Sequence, residues 1–288
     1  MEQFDILIVG GGAAGIAAAK AAHRAGCRSI LMVDRREALG GILRQCAHHG
    51  FGQGLTGPEY LEALTQDFPQ GITLWLSATV LSVARERTAR ILSPGVGDET
   101  VSFRQLILAA GCRERPIGAL SIPGTRPRGI YTAGDMQERM NLHGFLPKDP
   151  MVILGSGDLG LILANQLSDA GMAVTLVEQR AQCSGMARNQ ACVREGRVTL
   201  LCGATITEVL GERELEGVMV SNYGYLPCKT LLTAVGLVPD RALVSGLGEP
   251  EWLRLCGNCR TVHPMVEAVI HEGSRAGIAA WERIRGGI

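Results

Sequence analysis

The chain has 288 residues, 46% of them hydrophobic and 19% charged, with 38 glycines and nine cysteines. Its 28 basic and 28 acidic residues cancel, so no net field draws it to nucleic acid or to an anionic membrane, and no apolar run reaches membrane-spanning length. The length suits two domains; the first strand starts too early for a signal peptide, and the scattered, odd-numbered cysteines read as reduced thiols of a cytoplasmic protein.

The first element predicted is a strand buried on both faces, Ile6 to Val9. It enters Gly10-x-Gly12-x-x-Gly15 and an alanine-rich helical run to Ala25. Gly10 permits the tight turn, Gly12 lets a pyrophosphate approach the backbone, and Gly15 lets helix and strand pack closely. Ala13 and Ala14 open the helix, whose N–H groups and dipole favour phosphate. A second apolar strand, Ile30 to Val33, ends at Asp34, placed to accept from a ribose, with Arg35 beside it. Thr56 to Pro58 signals a helix start, with helix from Glu59 towards Phe68. Residues 72–104 alternate in short runs and suggest a small antiparallel appendage. The strand Gln105 to Ala110 ends at Gly111. Pro116 to Pro127 has the character of a linker, and Arg128 to Pro150 crosses to a second glycine unit.

That second unit repeats the first. Met151 to Leu154 leads into Gly155-x-Gly157-Asp158-Leu159-Gly160, a helix to Ala170, and a strand from Val174 ending at Glu178. It closes near Leu231 to Pro239, with Gly236 in the last turn. A carboxylate at Glu178 favours a free 2′-hydroxyl over a 2′-phosphate, which points to NAD(H) in preference to NADP(H); Arg180 nearby is read as a solvated charge. The tail adds a strand, Trp252 to Cys256, and a helix opened by Pro264 with Val266, Val269, Ile270, Gly273, Ala276, Ala280 and Ile284 on its buried face. The fold class expected is α/β, two Rossmann-like dinucleotide-binding domains with the second inserted in the first: 1–116, an inserted 117–240, and 241–288.

The motifs resemble those of two-dinucleotide-domain flavoprotein oxidoreductases in the thioredoxin-reductase-like layout. The likeness is stronger to the flavoprotein subunits of opine, hydroxyproline, hydrogen cyanide synthase and glycerol-3-phosphate dehydrogenase systems. It is carried by Gly40-Gly41-Ile42-Leu43-x-Gln45-Cys46-x-His48-x-Gly50-Phe51-Gly52, Leu55 to Tyr60, Gly111 to Arg115, Ile122 to Pro127, Val152 to Ile162, and Cys256-Gly257-Asn258 ahead of Val262-His263. The resemblance implies FAD in the first domain, held by Gly10, Gly12, Ala13, Ala14, Gly15, Asp34, Arg35, Gly41, Gln45, Ala110, Gly111, Gly257, Asn258, Pro264, Met265 and Val266. The second domain would take NAD(H) at Gly155, Gly157, Asp158, Leu159, Gly160, Glu178 and Gly236. Gly257-Asn258 stands where such proteins place Gly-Asp, and Thr132 to Asp135 imitates that motif in the wrong part of the chain. Cys46 and His48 lie on the loop expected beside the flavin and are the candidates for tuning or proton relay.

The implied function is an FAD-dependent oxidoreductase that exchanges hydride between NAD(H) and FAD. It would be the electron-transfer subunit beside a partner dehydrogenase that works on a small-molecule redox substrate, with any iron–sulfur centre on that partner. Two rival readings stand beside it. One is a stand-alone thiol or disulfide reductase using the Cys256-x-x-Cys259 pair; the other is a scaffold subunit that keeps FAD for structure alone. That C-x-x-C has no second copy, so no metal site is expected.

Overall fold

The computed structural model describes residues 1–95 and 97–287. The chain divides into two compact units, Met1–Arg113 with Val238–Ile288, and Glu114–Leu237.

In the first unit β1 (Glu2–Val9), α1 (Ala13–Arg24), β2 (Ile30–Val33), α2 (Gly57–Thr65) and β3 (Thr73–Trp75) lead to the meander β4 (Thr79–Val83), β5 (Thr88–Ser93) and β6 (Gly97–Leu108), then to β7 (Cys112–Glu114). In the second, β8 (Ile130–Thr132), α3 (Ala133–His143), β9 (Met151–Leu154), α4 (Asp158–Asp169), β10 (Val174–Glu178), α5 (Ala191–Arg194) and β11 (Thr199–Cys202) precede the strands β12 (Ile206–Leu210), β13 (Gly217–Val220), β14 (Gly224–Pro227) and β15 (Thr230–Thr233). The chain ends through β16 (Leu237–Pro239), β17 (Leu253–Leu255) and α6 (Val266–Arg285).

The first sheet runs β3-β2-β1-β6-β5-β4, with β17 added to β6. Its β1, β2, β3, β6 and β17 pairings are parallel, whereas β4, β5 and β6 pair antiparallel. The small antiparallel appendage expected over 72–104 is present as the meander β4–β5–β6, but it is continuous with the parallel sheet. Thr73–Trp75 belongs to the parallel edge, and one twelve-residue strand carries both the meander and the central parallel position. Its polar start, Gly97 to Thr100, lies exposed and hides the strand from an apolar pattern. β1 is apolar on both faces because it divides two cores: Ile6 and Ile8 pack on one side with Ala14, Ala18 and Ala22, and Leu7 on the other with Leu106 and Leu108.

The second unit has a parallel sheet β11-β10-β9-β15-β8 and an antiparallel β12-β13-β14. Two further expectations change here. Pro116 to Pro127 is not a free linker: Ile122 is buried in the core, and Gly124 bridges to Val209 with no room for a side chain, its added Cβ falling 2.1 Å from Val209 O. Arg128 to Pro150 holds β8 and α3 rather than a bare crossing.

The two units match down to single hydrogen bonds. Gly10 N donates to Val33 O (2.9 Å) as Gly155 N does to Val177 O (2.8 Å); Gly40 N donates to Gly11 O as Gly185 N does to Ser156 O, both at 2.8 Å. Ala109 N to Val9 O and Ala234 N to Leu154 O complete the match, again both at 2.8 Å. α6 starts at Val266, with Pro264 two residues ahead of it rather than inside its first turn. It crosses α1 through glycines: a Cβ on Gly273 would meet Ala14 O at 2.2 Å, and one on Gly277 would meet Ala18 O at 2.2 Å.

Candidate functional site

In the first unit the three motif glycines have separate steric duties. Gly10 has φ +108°, and its Cβ would fall 2.3 Å from Ala109 O. A Cβ on Gly15 would lie 1.8 Å from Gly10 O. Gly12 caps α1 with ordinary extended backbone (φ −77°, ψ −172°), and a Cβ there would meet nothing within 4 Å. The space in front of Gly12 therefore adjoins the first N–H groups of α1, at Ala13 and Ala14, where anions are favoured. α1 has no acidic residue in its first turn to compete. These residues fit a dinucleotide pyrophosphate.

Around that space the unit assembles its other candidates. Asp34 accepts from Gly11 N (2.5 Å) and Arg36 N (2.8 Å) and stays partly exposed, with Arg35 in solvent. Gly41 comes close to Gly12, its Cβ lying 3.2 Å from Gly12 Cα, and opens a short 3₁₀ turn that buries Leu43 and Gln45. Gly257 has φ +64°, and a Cβ on it would sit 2.8 Å from the Ala14 side chain, so the Gly257–Asn258 turn lies against the first turn of α1. Met265 caps α6, with Pro264 exposed beside it and Val266 half-buried. Ala110 and Gly111 follow β6, and Gly111 has φ +77° with open space at its Cβ position.

The loop after Gln45 folds towards the start of α6, where Gly52 N donates to Glu267 Oε1 at 3.2 Å. His48, Phe51 and Tyr60 stack along it, with ring centroids 5.2 and 6.1 Å apart. α2 is fixed by a capping box, Thr56 N donating to Glu59 Oε2 at 2.7 Å. Cys46 is buried, and burial pushes its thiol up to about 12. A thiol that protonated supplies no thiolate at neutral pH, so the structure argues for packing rather than catalysis at Cys46.

The Cys256/Cys259 pair is likewise sealed. Both side chains have no solvent exposure, and both sulfurs point at Leu108 O, at 3.9 and 2.9 Å. Burial raises both thiols above their ordinary range. A pair so buried presents no exposed thiolate to a substrate from solvent, which weighs against the stand-alone thiol-reductase alternative. No cluster of metal-ligating side chains occurs among the described residues.

In the second unit Gly157 repeats Gly12, with open space at its Cβ position. Leu159 packs into the core and Gly160 approaches Gly155 O, its Cβ at 2.3 Å. Gly236 has φ +107°. Asp158, in the first turn of α4, is turned into the chain and accepts from Met186 N (2.8 Å) and Asn189 Nδ2 (2.7 Å). Glu178 differs most from its counterpart Asp34. It is 6% exposed and accepts from Ser156 N (3.0 Å), Ser156 Oγ (2.5 Å), Ser184 Oγ (2.8 Å) and Arg180 N (2.9 Å). Burial opposes its charge, but these hydrogen bonds outweigh it and hold the carboxyl below its usual range. Glu178 is thus engaged by four donors of its own unit, where Asp34 accepts from two.

Residues 4–254 match the model of the pyridine nucleotide-disulphide oxidoreductases. The chain belongs to this family. Members bind FAD and a pyridine nucleotide, and the chain has the family's two Rossmann-like domains. It is 26% identical to an opine oxidase subunit from Rhizobium meliloti, over 87% of this chain and 53% of that one. It is 27% identical to hydrogen cyanide synthase subunit HcnB of Pseudomonas protegens, over 84% of this chain and 58% of that one. It thus spans a little over half the length of these relatives. Among solved structures, thioredoxin reductase of Lactococcus lactis superposes with a TM-score of 0.80 at 18% identity, covering 98% of this chain and 99% of that one, which shows the fold. No helix among the described residues is long and apolar enough to cross a membrane.

The motif glycines and both strand-end acids were readable locally. The parts played by Glu267 and Ser156 were not, because each acts on a residue distant in the chain, Gly52 and Glu178.

Proposed function

We propose that the first unit holds FAD at the Gly12 opening, and that the chain is the electron-transfer subunit of a larger dehydrogenase. The observation that carries this reading is the open space at Gly12, framed by the start of α1, Asp34 and the Gly257–Asn258 turn. Bound there, FAD would accept or give a hydride; this chain's residues would orient it and set its electrostatic surroundings. A pyridine nucleotide is the exchange partner proposed for the second unit, at Gly155, Gly157 and Gly160.

The relatives named as subunits of opine oxidase and of hydrogen cyanide synthase support a partner subunit, and the substrate class proposed for that partner is an amino acid, opine or polyol phosphate. An iron–sulfur centre, where the complex uses one, is assigned to that partner. The test is purification alone and with a co-expressed partner, then anaerobic titration with NADH and with NADPH. A yellow protein whose band near 450 nm bleaches is expected; a colourless protein that cannot be reconstituted with FAD refutes the reading. Bound flavin that neither nucleotide reduces would make the chain a scaffold instead.

A further inference from the structure

The turn at Gly257–Asn258 sits against the glycine cradle, yet carries an amide where the resembled proteins carry a carboxylate. The structure supplies a carboxylate from elsewhere. Glu272, in the second turn of α6, reaches back so that its Oε2 accepts from Gly257 N at 2.9 Å. Its Oε1 accepts from Arg260 Nη1 at 3.0 Å, and Oε2 lies 3.3 Å from His263 Nε2. Only 18% of its side chain is exposed. Burial works against its charge, but the His263 ring, the Gly257 N–H and Arg260 outweigh burial and hold the carboxyl below its ordinary range.

Asn258 is tied into the same knot. Its Oδ1 accepts from His263 N at 3.0 Å, which leaves the NH₂ as the end free to meet a ligand. Arg241 grips the turn from its other side, through Cys259 O at 2.8 Å and Arg260 O. Gly257 leaves no room for a side chain against α1, since a Cβ there would be 2.8 Å from the Ala14 side chain.

We propose that Glu272 is the positioning residue of the FAD turn. Glu272 brings the negative charge to this turn from the helix, and Asn258 brings none. A second carboxylate added at residue 258, on the turn whose Gly257 N–H Glu272 already accepts from, would repel Glu272, so the two positions should be interchangeable only as a pair. This rests on the assignment of FAD to the first unit.

The experiment is a double-mutant cycle on FAD affinity, measured by quenching of flavin fluorescence on reconstituting the apoprotein. Far-ultraviolet circular dichroism and thermal melting of each apoprotein serve as controls. Glu272→Gln should weaken FAD by about tenfold or more, the scale of one charge-assisted hydrogen bond. Asn258→Asp should weaken it through like-charge repulsion. Asn258→Asp/Glu272→Gln should bind FAD more tightly than either single variant, which a merely structural loss cannot produce. Should Glu272→Gln not fold, Asn258→Asp alone keeps the proposal testable, and a FAD affinity equal to or tighter than wild type in that variant would refute it. Losses that simply add, or a Glu272→Gln affinity within twofold of wild type, would also overturn it. Wild-type apoprotein that binds no FAD overturns the cofactor assignment instead, so the two failures are distinguishable.

Discussion

Gly12→Ala should separate ligand binding from folding more cleanly than any other change in the glycine motif. The backbone at Gly12 is extended, with φ −77° and ψ −172°, a conformation alanine adopts without strain. No atom lies within 4 Å of the added Cβ. Loss of glycine's freedom in the unfolded chain should therefore stabilise the apoprotein by about 0.4–1 kcal/mol, a rise of roughly 1–4 °C in Tm for a domain of this size. The same methyl group stands in the space assigned to the pyrophosphate. Losing even one close phosphate–amide contact, about 1.5–3 kcal/mol, weakens FAD roughly 10- to 150-fold. Gly10→Ala and Gly15→Ala provide the contrast. Their Cβ atoms would fall 2.3 and 1.8 Å from backbone oxygens, so both should lower Tm in the absence of any ligand. Calorimetry of the apoproteins and FAD titration of each make the measurement. Gly12→Ala protein that binds FAD as wild type does, or that melts several degrees lower, would refute the reasoning.

Gly273→Ala should lower apoprotein stability by about 1–3 kcal/mol, because its methyl would meet Ala14 O at 2.2 Å and push α6 off the cradle helix; an unchanged melting curve would contradict this. Native protein should leave Cys256 and Cys259 unmodified by a thiol reagent, and Cys256→Ser or Cys259→Ser should retain nucleotide-dependent flavin reduction; loss of turnover with flavin still bound would restore the thiol-reductase reading. Glu178→Ala should destabilise the second unit by about 3 kcal/mol, since it leaves Ser156 N and its hydroxyl without their acceptor. Because Glu178 has a lowered folded-state pKa, its contribution is complete above the ordinary carboxyl range near pH ~4.3. It disappears as pH falls through the folded value, so acid melts of wild type and Glu178→Gln should converge there, and parallel curves would count against it.

What the sequence disclosed follows from how far each interaction reaches along the chain. Gly10, Gly12, Gly15 and their repeats at Gly155, Gly157 and Gly160 act on neighbours within one strand–turn–helix, so their spacing alone identifies them. Asp34 and Glu178 occupy the same position in that pattern, yet their surroundings differ: Asp34 stays partly open, while Ser156 and Ser184 close over Glu178. Ser156 lies 22 residues from Glu178, and nothing periodic marks a serine that will donate to a buried acid. The first half of the strand Gly97–Leu108 eluded the apolar pattern for a related reason, its exposed residues being held to β5 by backbone pairing and the Arg90–Asp98 ion pair.

Glu272 is the clearest case. On a helical wheel it looks like one more solvated charge of α6, beside His271 and Arg275, which are indeed exposed. Its role depends on Gly273 and Gly277, which bring α6 onto α1 closely enough for the second turn of α6 to overlook the Gly257 N–H. Glycines that read as weak points of a helix are what place its carboxylate behind the turn. An alanine in place of Gly273 should therefore weaken FAD through Glu272 as well as through Ala14, and most of that added loss should vanish in a Glu272→Gln background. Equal losses in both backgrounds would show that α6 seats the turn by packing alone.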